Sequence, residues 1–232
     1  AADKKTMATS GPPDPQQILI LAGLLAFPER DAREALRDLL PLAPWLAEPL
    51  VELDPLPLDQ WQGEHTRLFV NGYPRTPCPP FESAYRQGRM GGTVVAELAG
   101  LYRRAGLEAR EAPADYLGTQ LECLAILAAE ADPAREGLGR ELWDEHLSRW
   151  LPRFSRDLQV HGELRLYRVL GERLVVLCGE HEEEVTEVDA EEGPGSRRLG
   201  DWEGPGRPRD WGDREDALDT GKSADPVGRT GS

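Results

Sequence analysis

The sequence predicts an all-α protein, a single globular helical domain of about eight or nine helices with a disordered acidic C-terminal tail. Three observations lead there. Apolar residues recur at three- and four-residue spacing from about residue 14 to residue 178, which is the period of helices that bury one side. Period-two alternation is absent, and the one short β-like run, Leu174-Val175-Val176-Leu177, closes a helical stripe. After Cys178 the composition changes, with sixteen acidic against seven basic residues over 179–232 and abundant glycine, proline and aspartate. Ordering a chain costs ~1–2 kcal/mol per residue, and so few apolar groups cannot offset that. The expected division is therefore a flexible N-terminus over 1–13, a helical domain over 14–178 and a disordered tail over 179–232. Within the tail, Trp202 and Trp211 stand beside aspartates, either as short docking motifs or as parts of a solvating segment.

Asp14 and Pro15 form a cap and first-position pair, so a buried helix is expected through the apolar run Ile18–Phe27. That run has ten residues, far fewer than a bilayer span needs, and no Ala-x-Ala site follows it. Over Glu29–Leu40, Ala32, Leu36, Leu39 and Leu40 make the apolar stripe, until Pro41 and Pro44 break it. A short helix is expected to carry Trp45, Leu46 and Leu50. From Leu58 to Val70, Trp61, His65, Leu68 and Phe69 share a side, and Asn71-Gly72 suits a helix end.

The stretch Pro77-Cys78-Pro79-Pro80-Phe81-Glu82-Ser83-Ala84-Tyr85 reads differently. Its three prolines remove backbone donors and push their predecessors toward extended geometry, so a stiff, extended connector is expected, with a carboxylate between two rings. Helix resumes over Val94–Ala105, then from Pro113 to about Ala131. On that second helix Asp115 and Glu122, two turns apart, are expected to share a face with Thr119 between them. Pro133 opens a helix through Leu142, His146 and Trp150, kinked at Pro152 and continued by Phe154 and Leu158. The last one covers Leu164–Cys178.

The formal charge of −15 argues against nucleic acid or an anionic membrane surface as partner and favours a basic one. Three widely spaced cysteines, Cys78, Cys123 and Cys178, form no CxxC pair, so neither a disulfide framework nor a structural zinc is expected, and a reducing cytoplasm fits. Cys78 is the best-exposed thiol candidate, without a histidine to activate it, and between prolines it also reads as a small loop filler. Glu141, Glu145 and His146 lack the second histidine of HExxH, and no phosphate-binding GxxxxGK[ST] occurs. No metal or cofactor is expected.

Three motifs in order carry a family resemblance covering roughly residues 14–178. Cys78-Pro79-Pro80-Phe81-Glu82-Ser83-Ala84-Tyr85 resembles the P-Y-E-S-V-Y loop of the TorD/DmsD/NarJ chaperones, the redox-enzyme maturation proteins. Ala114-Asp115-Tyr116-Leu117-Gly118-Thr119-Gln120-Leu121-Glu122-Cys123-Leu124-Ala125 is similar to their D-H-L-G-x-E-L-E-F-M-A helix. His146-Leu147-x-x-Trp150-Leu151-Pro152-x-Phe154 is similar to their H-L-x-x-W-L-P-x-F segment, and Glu64-x-x-x-Leu68-Phe69 fits upstream. Tyr116 stands for the usual histidine, Gln120 for a glutamate and Cys123 for a phenylalanine, which removes a titratable ring and one negative charge.

The resemblance implies an all-helical, cofactor-free cytoplasmic chaperone, monomeric or homodimeric, that performs no catalysis. It would bind the N-terminal, often twin-arginine, leader of a molybdenum oxidoreductase's catalytic subunit until the molybdopterin is inserted. Phe81, Glu82, Ser83, Tyr85, Asp115, Tyr116 and Glu122 are the implied leader-binding residues. Carboxylates suit arginine's forked donors, at ~1.5–3 kcal/mol per charge-assisted bond, and a groove between helices suits an apolar stretch. Structural roles stand beside these. Asp115 also fits a helix N-terminus, Glu82 a solvated loop position or an ion pair with Arg86 or Arg89, Glu122 a buried acceptor tying two helices, and Phe81 and Tyr85 core plugs. A permanent non-catalytic subunit of a redox complex, or an enzyme using Glu82 with Asp115, are the alternative classes.

Overall fold

Helix α1 (Pro15–Gly23) begins as the sequence predicts, with the Asp14 carboxylate accepting from the Gln16 amide at 3.0 Å. It ends earlier than its apolar run. Leu24 and Leu25 stay buried in the turn that follows, whereas Phe27 is largely exposed. The computed structural model describes residues 14–110, 112–129 and 132–179. The expected flexible N-terminus and acidic tail, with Trp202 and Trp211, lie outside them.

Ten α-helices follow one another among the described residues, with no strand beyond a single antiparallel bridge. After α1 come α2 (Ala32–Asp38), α3 (Ala47–Leu53) and α4 (Leu58–Phe69). They are followed by α5 (Glu82–Gln87), α6 (Thr93–Arg104) and α7 (Leu117–Ala129), then α8 (Pro133–Glu145), α9 (Leu151–His161) and α10 (Arg165–Gly179). The all-α reading holds, and no helix of the described residues is long and apolar enough to cross a membrane.

The most extensive packing joins α9 to α10, and α1 to α7. Close approach of α9 and α10 depends on Gly171. A Cβ there would meet the Ser155 carbonyl at 2.6 Å and the Leu158 side chain at 3.1 Å, so only a glycine lets the two backbones pass. The core is continuous, built on Leu and the fully buried Trp150, Tyr102, Tyr167 and Phe154. Trp61 donates its indole N–H to the Tyr167 hydroxyl at 3.1 Å, so α4 is pinned to α10 through a buried polar contact.

Three further boundaries move. The helix foreseen from Pro113 starts at Leu117, because Pro113–Tyr116 is a turn whose last residue pairs with Phe81. The helix foreseen through Trp150 stops at Glu145. A single 3-10 turn over Leu147–Arg149 separates it from α9, where Pro152 occupies a first-turn position that needs no amide. Finally, the proline-rich stretch is extended only as far as Phe81; Glu82 to Tyr85 are helical, part of α5.

Candidate functional site

The two sequence motifs singled out above meet each other. Phe81, extended at φ −132° and ψ 127°, bridges Tyr116, with the Glu82 amide donating to the Asp115 carbonyl at 3.0 Å and the Leu117 amide to the Pro80 carbonyl at 2.9 Å. Their rings lie 5.6 Å apart. Prolines deny this segment its own helix but leave Pro80's carbonyl free to accept, and the pairing uses it.

Asp115 explains why a six-residue helix forms directly after three prolines. Its carboxylate accepts from the Ser83 amide at 3.2 Å and from the Ser83 hydroxyl. A side chain from 32 residues away thus caps the first turn of α5, doing what a local cap residue ordinarily does. The same hydroxyl accepts from the Gly91 amide at 3.0 Å, tying the glycine loop before α6 to this point. Gln120 donates to the Asp115 carbonyl at 3.2 Å, and Tyr102 to the Ala114 carbonyl at 2.7 Å.

Glu82 is equally committed. Its Oε1 takes an ion pair from Arg86 one helical turn on, and lies 3.0 Å from Nδ1 of His146. Glu82 and His146 are both buried, and Arg86 continues to the Glu145 carbonyl at 3.1 Å. This cluster locks α5 to the end of α8, using the histidine of the third motif.

These positions correct several sequence readings. Asp115 and Glu122 do not share a face, since Asp115 is 1% exposed and turned inward while Glu122 is exposed on α7. Glu122 is therefore no buried acceptor. Glu82, Ser83 and Asp115 are enclosed, so Glu82 is no solvated loop residue, and its ion pair with Arg86 is the other of the two structural roles foreseen for it. Cys78 is fully buried, not exposed, and burial pushes its thiol pKa well up. His65 is a core residue whose Nε2 lies 3.1 Å from the Leu25 carbonyl. Among the described residues no group of His, Cys, Asp and Glu is arranged to hold a metal.

Two clefts flank the enclosed joint. One, of about 420 Å³, lies between the segment after α6 and the face of α7, lined by Tyr102, Leu107, Glu108, Tyr116, Glu122 and Ile126 among others. Its walls are mainly apolar and aromatic, with Glu122 and Glu108 as its carboxylates and Arg110 as its cation. Glu108 accepts from Arg110 at 3.2 Å, both being largely exposed. Tyr116 donates its hydroxyl to the Leu25 carbonyl at 3.1 Å, and burial, then the Glu122 charge, push its pKa up to about 12. The tyrosine that replaces a histidine thus stays neutral and anchors the cleft to the turn after α1. Gly118 makes room for it, since a Cβ there would meet the Tyr116 ring at 2.5 Å. Helical spacing marked Glu122 and the family resemblance marked Tyr116; Leu107, Glu108 and Ile126 carried no motif signal.

The second cleft is lined by Tyr85, Arg153 and Asp157 with the loop over Tyr73–Pro79. Tyr85 donates to Asp157 at 2.9 Å and packs its ring 5.4 Å from Trp150 and 5.9 Å from Phe154.

Comparison with known proteins places this arrangement. Residues 29–156 match the model of the nitrate reductase delta subunit family, a span that includes all the motifs of the resemblance and leaves out α1, the end of α9 and α10. The chain belongs to that family, the NarJ- and TorD-type chaperones. Among solved structures it resembles an Archaeoglobus fulgidus protein assigned to redox-enzyme maturation. The two are 21% identical with a TM-score of 0.52, over 74% of this chain and 96% of the other, a likeness of fold. Curated protein sequences give no match. In this member of the chaperone family, the P-x-F-E-S-x-Y and D-Y-L-G segments are one structural joint, and the accessible chemistry lies in the clefts on either side of it.

Proposed function

We propose that this chain is a cytoplasmic maturation chaperone. It holds the N-terminal leader of a molybdopterin-containing oxidoreductase catalytic subunit, without catalysis of its own, while cofactor is inserted and before export. One observation supports the leader-binding reading most directly: the apolar, tyrosine-walled cleft along α7 carries an exposed carboxylate, Glu122, at its rim. An amphipathic leader that presents arginines beside an apolar helical face complements such a cleft. Arginine's forked donors would meet Glu122 and Glu108, and its apolar residues Leu107, Tyr116 and Ile126. In this reading Glu82, Ser83 and Asp115 act indirectly, by holding Phe81 against Tyr116 and so setting the cleft wall, while Tyr85 faces the opposite cleft.

The experiment is titration of a labelled leader peptide bearing paired arginines into the full chain. Glu122→Lys should weaken binding about 10- to 100-fold, the equivalent of the ~1.5–3 kcal/mol carried by a charge-assisted bond, with unchanged melting. An Arg-to-Ala peptide should lose affinity for the parent chain and be indifferent to Glu122→Lys. Equal affinity of parent and variant would remove Glu122 from the site. The matched family is described as a nitrate reductase subunit, which favours keeping the second reading, a permanent non-catalytic subunit. Co-purification separates the two, since a chaperone is absent from the mature, cofactor-loaded enzyme and a subunit stays at fixed stoichiometry.

A further inference from the structure

The cleft on the Tyr85 side has the opposite character to the protein that contains it. In a chain of net charge −15, its lining includes Arg67, Arg75, Arg153 and His161 against one carboxylate, Asp157. That carboxylate is already engaged by the Tyr85 hydroxyl. Arg67 is offset by Glu64 at 2.7 Å and Glu163 at 3.5 Å. Arg153 is different: its guanidinium lies over the Tyr85 ring, 5.7 Å from the centroid, and forms no ion pair among the described residues. A guanidinium held over a ring by cation–π attraction keeps its N–H donors for a ligand.

The opposite wall is stiff. Cys78 donates its amide to the Leu68 carbonyl at 2.9 Å, and Thr76 its hydroxyl to the Val70 carbonyl at 3.3 Å. Gly72 is packed so closely that a Cβ would meet the Arg67 and Arg75 carbonyls at 2.7 and 2.8 Å. The loop is thereby held in one course, with Pro74, Pro77 and Pro79 facing the cavity. The volume, about 420 Å³, falls within the range of small-molecule sites, ~300–1,000 Å³.

From this geometry we infer that the cleft between the 73–79 loop, Tyr85 and α9 binds an oxyanion, a phosphate or carboxylate group carried on a small molecule whose body packs against Tyr85 and the proline faces. Arg153 is the principal ligand, and Asp157, also in the lining, limits affinity by its charge. A chain this acidic repels anions in general, so binding requires the local arrangement. The site shares no lining residue with the α7 cleft, so it stands or falls independently of the leader-binding proposal.

Calorimetric titration of the full chain at low ionic strength, with inorganic pyrophosphate in one arm and citrate in the other, tests this. One equivalent of at least one probe should bind with a Kd below about 1 mM. Binding by pyrophosphate alone points to a phosphorylated ligand, and binding by citrate alone to a polycarboxylate. Arg153→Ala should weaken the bound probe at least tenfold. Asp157→Asn, which keeps an acceptor for Tyr85 while removing the charge, should tighten it several-fold, a sign that loss of structure would not produce. Glu122→Lys should leave it unchanged. Failure of both probes to bind, or equal binding by the parent, Arg153→Ala and Asp157→Asn chains, overturns the inference.

Discussion

Replacing Glu82 with alanine tests the assignment of this residue to architecture. In the folded chain Oε1 accepts from Arg86 and lies 3.0 Å from His146 Nδ1, with the Glu82 side chain 0% and the His146 side chain 6% exposed. Glu82→Ala leaves a buried imidazole nitrogen without its partner, a cost of ~1–3 kcal/mol, and an arginine without its ion pair. Breaking a fully buried ion pair costs ~3–5 kcal/mol. Arg86 is 28% exposed, so water partly replaces its lost partner, and it retains the Glu145 carbonyl. The expected loss is therefore about 3 kcal/mol. At ~2–4 °C per kcal/mol for a chain of this size, the thermal midpoint should fall by ~6–12 °C. Glu82→Gln keeps the shape and one acceptor and should cost about half as much.

Circular dichroism melts of the two variants, His146→Ala and the double variant Glu82→Ala/His146→Ala provide the assay. The two single effects should be strongly non-additive, with a coupling of ~1–3 kcal/mol, because each removes the same contact. A Glu82→Ala chain melting within about 1 °C of the parent, yet unable to bind an arginine-bearing peptide, would refute the reasoning and return Glu82 to the recognition surface. For the same reason Glu82→Arg and Asp115→Arg, attractive from the sequence as tests of peptide binding, should disrupt folding: each places a new charge at an enclosed position.

Two further outcomes are expected. Gly171→Ala should destabilise by ~1–3 kcal/mol through overpacking, since the added methyl meets the Ser155 carbonyl at 2.6 Å; denaturant unfolding of the variant measures it, and a neutral result would show that α9 and α10 can separate freely. Burial lowers the His65 pKa from 6.5, so the unfolded state takes up the proton first as pH falls. The neutral ring's contribution is full above about pH 6.5 and is lost as pH drops toward the lowered folded-state value. His65→Gln should flatten that part of the stability–pH profile, and an unchanged slope between pH 7 and 5 would exclude this origin.

Much of the architecture was legible because helices are local. Three- and four-residue spacing of leucines, Asp14-Pro15 and Pro133 as starts, and the stripe Leu166–Leu177 are read from neighbours along the chain, and the structure has helices there. Two of the boundaries that moved lie where a long-range partner intervenes. Pro113–Tyr116 is a turn because Phe81 pairs with Tyr116, and Glu82–Tyr85 is helical because Asp115 caps it. The cleft-lining Leu107, Glu108 and Ile126 carried no signal, since a groove is a property of two surfaces brought together. The same holds for the arginines around Tyr85, which come from three separate segments.

By itself, then, the sequence determined an all-helical body, its approximate segments, its acidic character and the family to which its motifs point. Tertiary structure decided which acids are available. A helical period says that one side is buried, but Asp115 precedes its helix and turns inward to satisfy amides of α5, while Glu122, inside the helix, faces water. Whether a carboxylate meets solvent or an orphaned backbone donor depends on contacts across more than thirty residues, and the cost of leaving such donors unmade outweighs any local preference.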